Sequence, residues 1–332
     1  MRTELPVIDS LLERLGLGPL RRESVTEHRG RWHAITGITR QGAPVFVKHI
    51  TDPAVFGRAV AFERFAVALP GLPRPRCLGW DARESLIVFA HLRGTVDGLR
   101  AAEKDAFDVP TARELGRTLA LLHGAPVDGD GPLRPAEQPH PPVALLEAIS
   151  LPAFLEASGA ELELLGMLHE DTALAAAATR LAEEACAVAQ LPCHADLRLD
   201  QLLLGAGGIW LTDWDQACLT DPARDIGAFL GEWLHRSARK VRSGTAAGTE
   251  DFAGTRPLVA AFWSAYRSAR SAADGELARR SVAFAGWHQI DRVFAIARSR
   301  AWLHPVERAA VGIGRVALLS PADLIEAVGL CR

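Results

Sequence analysis

Cys193-His194-Ala195-Asp196-Leu197-Arg198-Leu199-Asp200-Gln201-Leu202-Leu203-Leu204, continued through Gly205–Gly208 into Ile209-Trp210-Leu211-Thr212-Asp213-Trp214-Asp215, decides how this chain is read. Apolar Leu202–Leu204 and Ile209–Leu211 flank a glycine-bearing turn, which is the pattern of two short strands joined as a hairpin. Acidic loops stand at the outer end of each strand. The hairpin therefore presents two carboxylates, Asp196 and Asp213, at one end.

The rest of the chain can supply the scaffold that such loops need. Its 332 residues, 48% hydrophobic and 23% charged, suit one bilobal unit or two modest domains. A formal charge of −3 gives no general surface for a polyanion, so no nucleic-acid partner is expected. The N-terminal Met1-Arg2-Thr3-Glu4-Leu5-Pro6 lacks the apolar core of a signal peptide, and no apolar run reaches the ~18 residues that span a bilayer. A cytoplasmic location and no membrane partner are the expectations. Cys77, Cys186, Cys193, Cys218 and Cys331 have no C-x-x-C spacing, so reduced, buried thiols are expected rather than a zinc site or a disulfide framework.

Upstream of the hairpin, Leu5, Val7, Ile8, Leu11, Leu12 and Leu15 recur at helical spacing and stop near Gly16. From Val25 the period shortens: loose alternation to Thr39, a turn at Arg40–Ala43, then a strand over Pro44–Ile50 that contains Lys48. A strand lysine most often faces solvent, and a functional role needs a partner. Glu63, on the helix that follows Asp52-Pro53, is such a partner by position. A further strand, Ser85–Phe89, ends at a hinge over Ala90-His91-Leu92-Arg93-Gly94, which closes a small β-rich lobe over residues 25–92.

Beyond the hinge the pattern is helical at 111–123, 173–188, 225–234, 258–267 and 281–301. Pro126–Pro142 reads as a loop at the rim of a pocket, and Arg236–Arg256, small and polar with Gly244, Gly248 and Gly254, reads as a second loop. The cluster Arg236, Arg239, Lys240 and Arg242 is by default a solvated face.

The spacing H-x-D-x-x-x-x-Q followed by D-W-D has the layout that phosphoryl transfer requires. Asp196 would orient an acceptor hydroxyl and take its proton, while Gln201 and Asp213 hold a magnesium ion against a triphosphate. Either motif alone is common, since an H-x-D triplet occurs widely and a D-x-D is often a turn or cap. The ordered set of Lys48, Glu63, hinge, H-x-D and D-W-D carries the argument.

These residues resemble the aminoglycoside phosphotransferase and choline kinase-like family, relatives of the protein kinases, from about Val25 to Leu234, including Asp221-Pro222-Ala223-Arg224-Asp225. The resemblance implies an α+β, bilobal, protein-kinase-like fold: an N-terminal nucleotide-binding lobe over 1–92 with its leading helix, and a larger, mainly helical lobe over 93–332 with the catalytic loop and acceptor site. It implies ATP and Mg²⁺ as cofactors and leaves GTP open. Lys48 would bind the α- and β-phosphates, steadied by Glu63, and the backbone of Ala90, His91 and Leu92 would meet the purine. Asp196 would be the base, with Arg198 where protein kinases carry a phosphoryl-steadying lysine. Gln201 and Asp213 would be the metal ligands; His194, Asp215 and Asp225 would brace the loops.

Three positions depart from the family pattern. Gln201 stands for the usual Asn, Ala195 for the usual Gly, and Arg29-Gly30-Arg31-Trp32 for a full glycine-rich loop. The expected activity is transfer of the γ-phosphoryl group to a hydroxyl of a small molecule, such as an antibiotic or other natural product. Two alternatives stay open: a Ser/Thr kinase acting on a precursor peptide in the biosynthesis of ribosomally made, dehydrated peptides, with a partner enzyme in that pathway, and a pseudokinase scaffold.

Overall fold

The computed structural model describes residues 5–29, 33–127, 129–242, 248–270 and 275–330. The contacts divide the chain into two compact units, Met1–Lys104 with Asp130–Leu133 and Asp200–Ala217, and Asp105–Gly129 with Arg134–Leu199 and Cys218–Arg332.

The first unit is built on an antiparallel sheet of β1 (Thr26–Arg29), β2 (His33–Ile38), β3 (Pro44–His49), β4 (Cys77–Asp81) and β5 (Leu86–Ala90), in the order β1-β2-β3-β5-β4. Period-two alternation in β3 sends Val45 and Val47 into a core shared with Leu20, Ile35, Val88 and with Ile8, Leu11 and Leu12 of the helix Leu5–Arg14. Lys48 falls on the opposite face, in register with Ile87 of β5. A second helix, Pro53–Phe65, starts where Asp52 accepts from the Ala54 and Val55 amides and Pro53 fixes the first turn. Its Phe62 stacks on Trp214 with ring centroids 3.9 Å apart.

The hairpin lies in this first unit. Strands Leu202–Gly205 and Gly208–Leu211 pair as the sequence predicts, and Val96–Asp97 adds a third strand alongside Leu203 and Leu204. The strand Val96–Asp97 and the Phe62–Trp214 stack tie the hairpin to the sheet-bearing unit.

The second unit is helical. Val109–His123 crosses Gly248–Ala269 so closely that a Cβ on Gly116 would stand 2.2 Å from the Phe262 carbonyl oxygen. Ala223–Arg242 packs along Leu277–Ala297 in the same way, at Gly227 against Phe284 and Ser281. A buried ion pair, Arg280 Nε to Asp221 Oδ2 at 2.6 Å, ties the two ends of that contact. The loop expected over 236–256 is instead helical at both ends, because Phe229, Leu230, Trp233 and Val259, Phe262 and Trp263 give each helix a buried stripe that outlasts its polar composition; residues 243–247 lie outside the described residues. Helices over Gly159–Glu170 and Pro305–Leu319 complete the unit. Among the described residues no helix is long and apolar enough to cross a membrane.

Candidate functional site

In the first unit, Lys48 is only 12% exposed and its ammonium meets two carboxylates, Asp213 and, at 2.7 Å, Asp215 Oδ2. Asp213 is held in the left-handed region (φ 66°), a strained setting for a residue with a Cβ that costs on the order of 1–2 kcal/mol and is characteristic of functional loops. Asp215 is buried, and its carboxyl is raised above the usual range, first by burial and then by the charge of Asp213, while Lys48 opposes both. Its backbone oxygen accepts from Arg58 Nε at 3.1 Å. Asp215 is thus a direct partner of Lys48.

Glu63 does not pair with Lys48. It is buried and bonded to Arg74 Nη1 at 2.5 Å, and burial lifts its carboxyl to about 7, with Arg74 pulling the other way. The strand lysine has taken the D-W-D carboxylates instead, because both flank the hairpin that packs on this unit.

Gln201 is 2% exposed, and its amide nitrogen lies 3.4 Å from Asp213 Oδ2. Its backbone oxygen accepts from both the amide and the hydroxyl of Thr212, each at 2.9 Å, which locks the two loop ends together. An amide and a carboxylate side by side are oxygen donors suited to a hard divalent cation, and the amide presents its oxygen after rotation about one bond. These two residues fit magnesium. At the hinge, the Ala90 amide donates to the Arg76 carbonyl and the His91 amide to the Pro44 carbonyl, so both are spent within the sheet.

In the second unit, Asp225 organises the loop that carries Asp196. Its oxygens accept from the His194 amide at 2.7 Å, the Ala195 amide at 2.8 Å and His123 Nε2 at 3.1 Å. Burial alone would raise this carboxyl, yet these bonds, led by His123, hold it below the usual range. Ala195 pays for this turn with a φ of 64°, the position where glycine is the unstrained choice. His194 is fully buried, as a loop brace would be. At the far end of the loop the Leu199 amide donates to Glu232, a buried carboxylate that also meets His288 Nε2 at 2.9 Å and Arg292 at 3.4 Å. Despite burial, His288 first and then Arg292 bring Glu232 down to about 2.

Asp196 is left outward between these anchors, with its side chain 37% exposed and bonded to Arg198 Nη1 at 2.9 Å. It opens onto a pocket lined by His140, Arg198, Arg224, Asp291 and Arg292 among others. His123, Cys193 and Asp225 bring ligand atoms within 4.8 Å of one another. They form a brace and not a metal centre: Asp225 is saturated by donors, and burial keeps the Cys193 thiol protonated, far above its ordinary range. That also removes Cys193 as a nucleophile.

A sheet-bearing unit with a lysine facing two aspartates, and a helical unit whose buried loop aims one carboxylate into a pocket, define a kinase-like phosphotransferase. The chain belongs to the phosphotransferase enzyme family, whose sequence profile matches residues 53–302. In fold it is similar to an amicoumacin kinase, hAmiN, solved with AMP-PNP, Ca²⁺ and Ami, at 14% identity and TM-score 0.62 over 97% of this chain and 96% of that one. It is also similar to the choline kinase LicA from Streptococcus pneumoniae (14% identity, TM-score 0.59, 96% and 100% covered) and to the macrolide 2'-phosphotransferase MphH from Brachybacterium faecium (18%, 0.55, 95% and 98%). No curated protein matches the chain in sequence.

Arg74, Arg58, His123, Glu232 and the pocket residues His140, Asp291 and Arg292 escaped the sequence reading, and Arg224 entered it only within the Asp221–Asp225 motif, without a role. His123 alone left a signal, as the polar end of an otherwise apolar helix stripe. The cluster Arg236, Arg239, Lys240 and Arg242 joins no part of the site among the described side chains; Arg236 lies 3.9 Å from Asp105.

Proposed function

We propose that the chain transfers the γ-phosphoryl group of ATP to a hydroxyl of a small molecule. The observation that carries this reading is Asp196, a partly exposed carboxylate on a loop whose ends are fixed by Asp225 and Glu232, open to a pocket lined by polar and charged side chains. As the acceptor oxygen bonds to the γ-phosphorus, its proton passes to a carboxylate oxygen of Asp196, and the bond to the β-phosphate oxygen breaks to release ADP. Arg198, bonded to Asp196, would steady the transferring group and hold the carboxylate's orientation. Lys48 would exchange one of its aspartates for the α- and β-phosphates, and Gln201 and Asp213 would hold magnesium, which when bound neutralises charge on the phosphates. The Leu92 amide has no acceptor among the described residues and would donate to the purine.

The presence of Lys48, Asp196 and Asp213 together favours catalysis over a scaffold. The test is ADP formation with Mg·ATP. Asp196→Asn should keep nucleotide binding and lose roughly 10²- to 10⁴-fold in turnover, the usual worth of a positioned base. Asp213→Asn should instead abolish magnesium-dependent nucleotide binding. Identical nucleotide affinities for the two variants would overturn this division of roles, and a wild-type chain that is not stabilised by Mg·ATP would overturn the reading itself.

A further inference from the structure

The pocket beside Asp196 is rich in guanidinium groups. Three arginines, Arg198, Arg224 and Arg292, line the pocket against two aspartates, Asp196 and Asp291. Two of the three arginines are already matched. Arg198 bonds Asp196 at 2.9 Å, and Arg292 lies 3.4 Å from Glu232 beneath the pocket. Asp291 faces His140 Nε2 at 3.3 Å, a ring stacked flat on Phe284 with centroids 6.1 Å apart, whose protonation burial first and then Arg224 oppose, so that contact is a hydrogen bond and not a charge pair. Arg224 is the exception: it is half-buried at the pocket wall and has no carboxylate partner among the described residues. Its neighbours hold it there. The Arg224 amide donates to the Asp221 carbonyl, Asp221 is committed to Arg280, and Asp225 to the catalytic loop. Neither adjacent aspartate can therefore turn to neutralise it.

A partly desolvated guanidinium with no counter-charge is costly unless a ligand supplies one, and guanidinium groups recognise oxyanions through paired hydrogen bonds. We propose that the acceptor carries an oxyanionic group, a carboxylate or phosphate ester near the hydroxyl that is phosphorylated, and that Arg224 is its counter-ion. The inference rests on the reading that Asp196 faces the acceptor. It separates this chain from choline-type substrates, whose fixed positive charge would meet the wrong partner.

The test is calorimetric titration of the full chain with glycerate, glycerol 2-phosphate, glycerol and choline, in wild type, Arg224→Lys and Arg224→Gln. Saturable binding of at least one of the two anions is expected, with affinity about tenfold or more weaker in Arg224→Gln, partly kept in Arg224→Lys, and above that for choline in wild type. A preference between glycerate and glycerol 2-phosphate would tell carboxylate from phosphate ester. Tighter binding of choline than of either anion, equal anion affinity in wild type and Arg224→Gln, or no saturable anion binding would each overturn the proposal. The wild-type comparison of anion against choline decides the matter even if Arg224→Gln does not fold. Failure of the phosphotransfer reading would appear separately, as no nucleotide binding with Mg·ATP, while the anion titration needs no nucleotide.

Discussion

Glu63 and Glu232 are both buried glutamates paired with cations, yet their surroundings push them in opposite directions. Burial lifts Glu63 from its ordinary 4.5 to about 7 in spite of Arg74, so the proton it holds favours folding below 4.5 and that stabilisation drains away as pH rises through 7. Glu232 is brought down from 4.5 to about 2, so its contribution is full above 4.5 and is lost as pH falls through 2. Each shift corresponds to a contribution of about 3 kcal/mol. Urea unfolding followed across pH should find that Glu63→Gln flattens the decline between pH 5 and 8, while Glu232→Gln flattens the acid limb below pH 4.5; unchanged slopes would refute both assignments. Glu63→Gln also separates two pairings. Since Glu63 bonds Arg74 and not Lys48, the variant should bind Mg·ATP about as tightly as wild type, whereas Lys48→Met should bind it at least about tenfold more weakly.

At the scale of elements, two glycines distinguish close packing from mere helix geometry. Gly116 lets the helix Val109–His123 press against the Phe262 backbone, and a methyl group there would force the helices apart. Gly116→Ala should destabilise the chain by about 2 kcal/mol or more. Gly57, exposed on the helix Pro53–Phe65 with nothing near its Cβ position, should instead gain up to about 1 kcal/mol when replaced by alanine, through lower entropy of the unfolded chain. Thermal or urea unfolding of the two variants checks the pair, and equal signs would be inconsistent with the packing described. The catalytic loop is an element of a different kind, held at His194 and Ala195 by Asp225 and at Leu199 by Glu232. Asp225→Ala should therefore cost turnover as heavily as Asp196→Asn while also lowering stability, because it leaves buried amides without an acceptor.

For the whole molecule, ligand linkage gives the broadest check. With Mg·ATP at a hundred times its dissociation constant the folded state should gain about 2.7 kcal/mol, seen as a raised Tm, and chelation of the metal should remove most of that gain. The hairpin, the strand lysine, the D-W-D triplet and the Asp225 that follows it were legible in the chain because each is local: alternation, turn chemistry and short motif spacing need no knowledge of distant neighbours. The helices 109–123, 172–187 and 277–297 were likewise near their periodic positions. What the sequence could not determine were pairings between segments far apart in number. A glutamate one helix away is as plausible a partner for Lys48 as an aspartate 165 residues on, and burial with packing, not spacing, chose Asp213 and Asp215 for the lysine and Arg74 for Glu63. The sequence by itself determined the family and the class of reaction. Only the tertiary structure decided which charges neutralise one another, and so which arginine is left facing the pocket, because Coulombic partners are selected by distance and desolvation rather than by order along the chain.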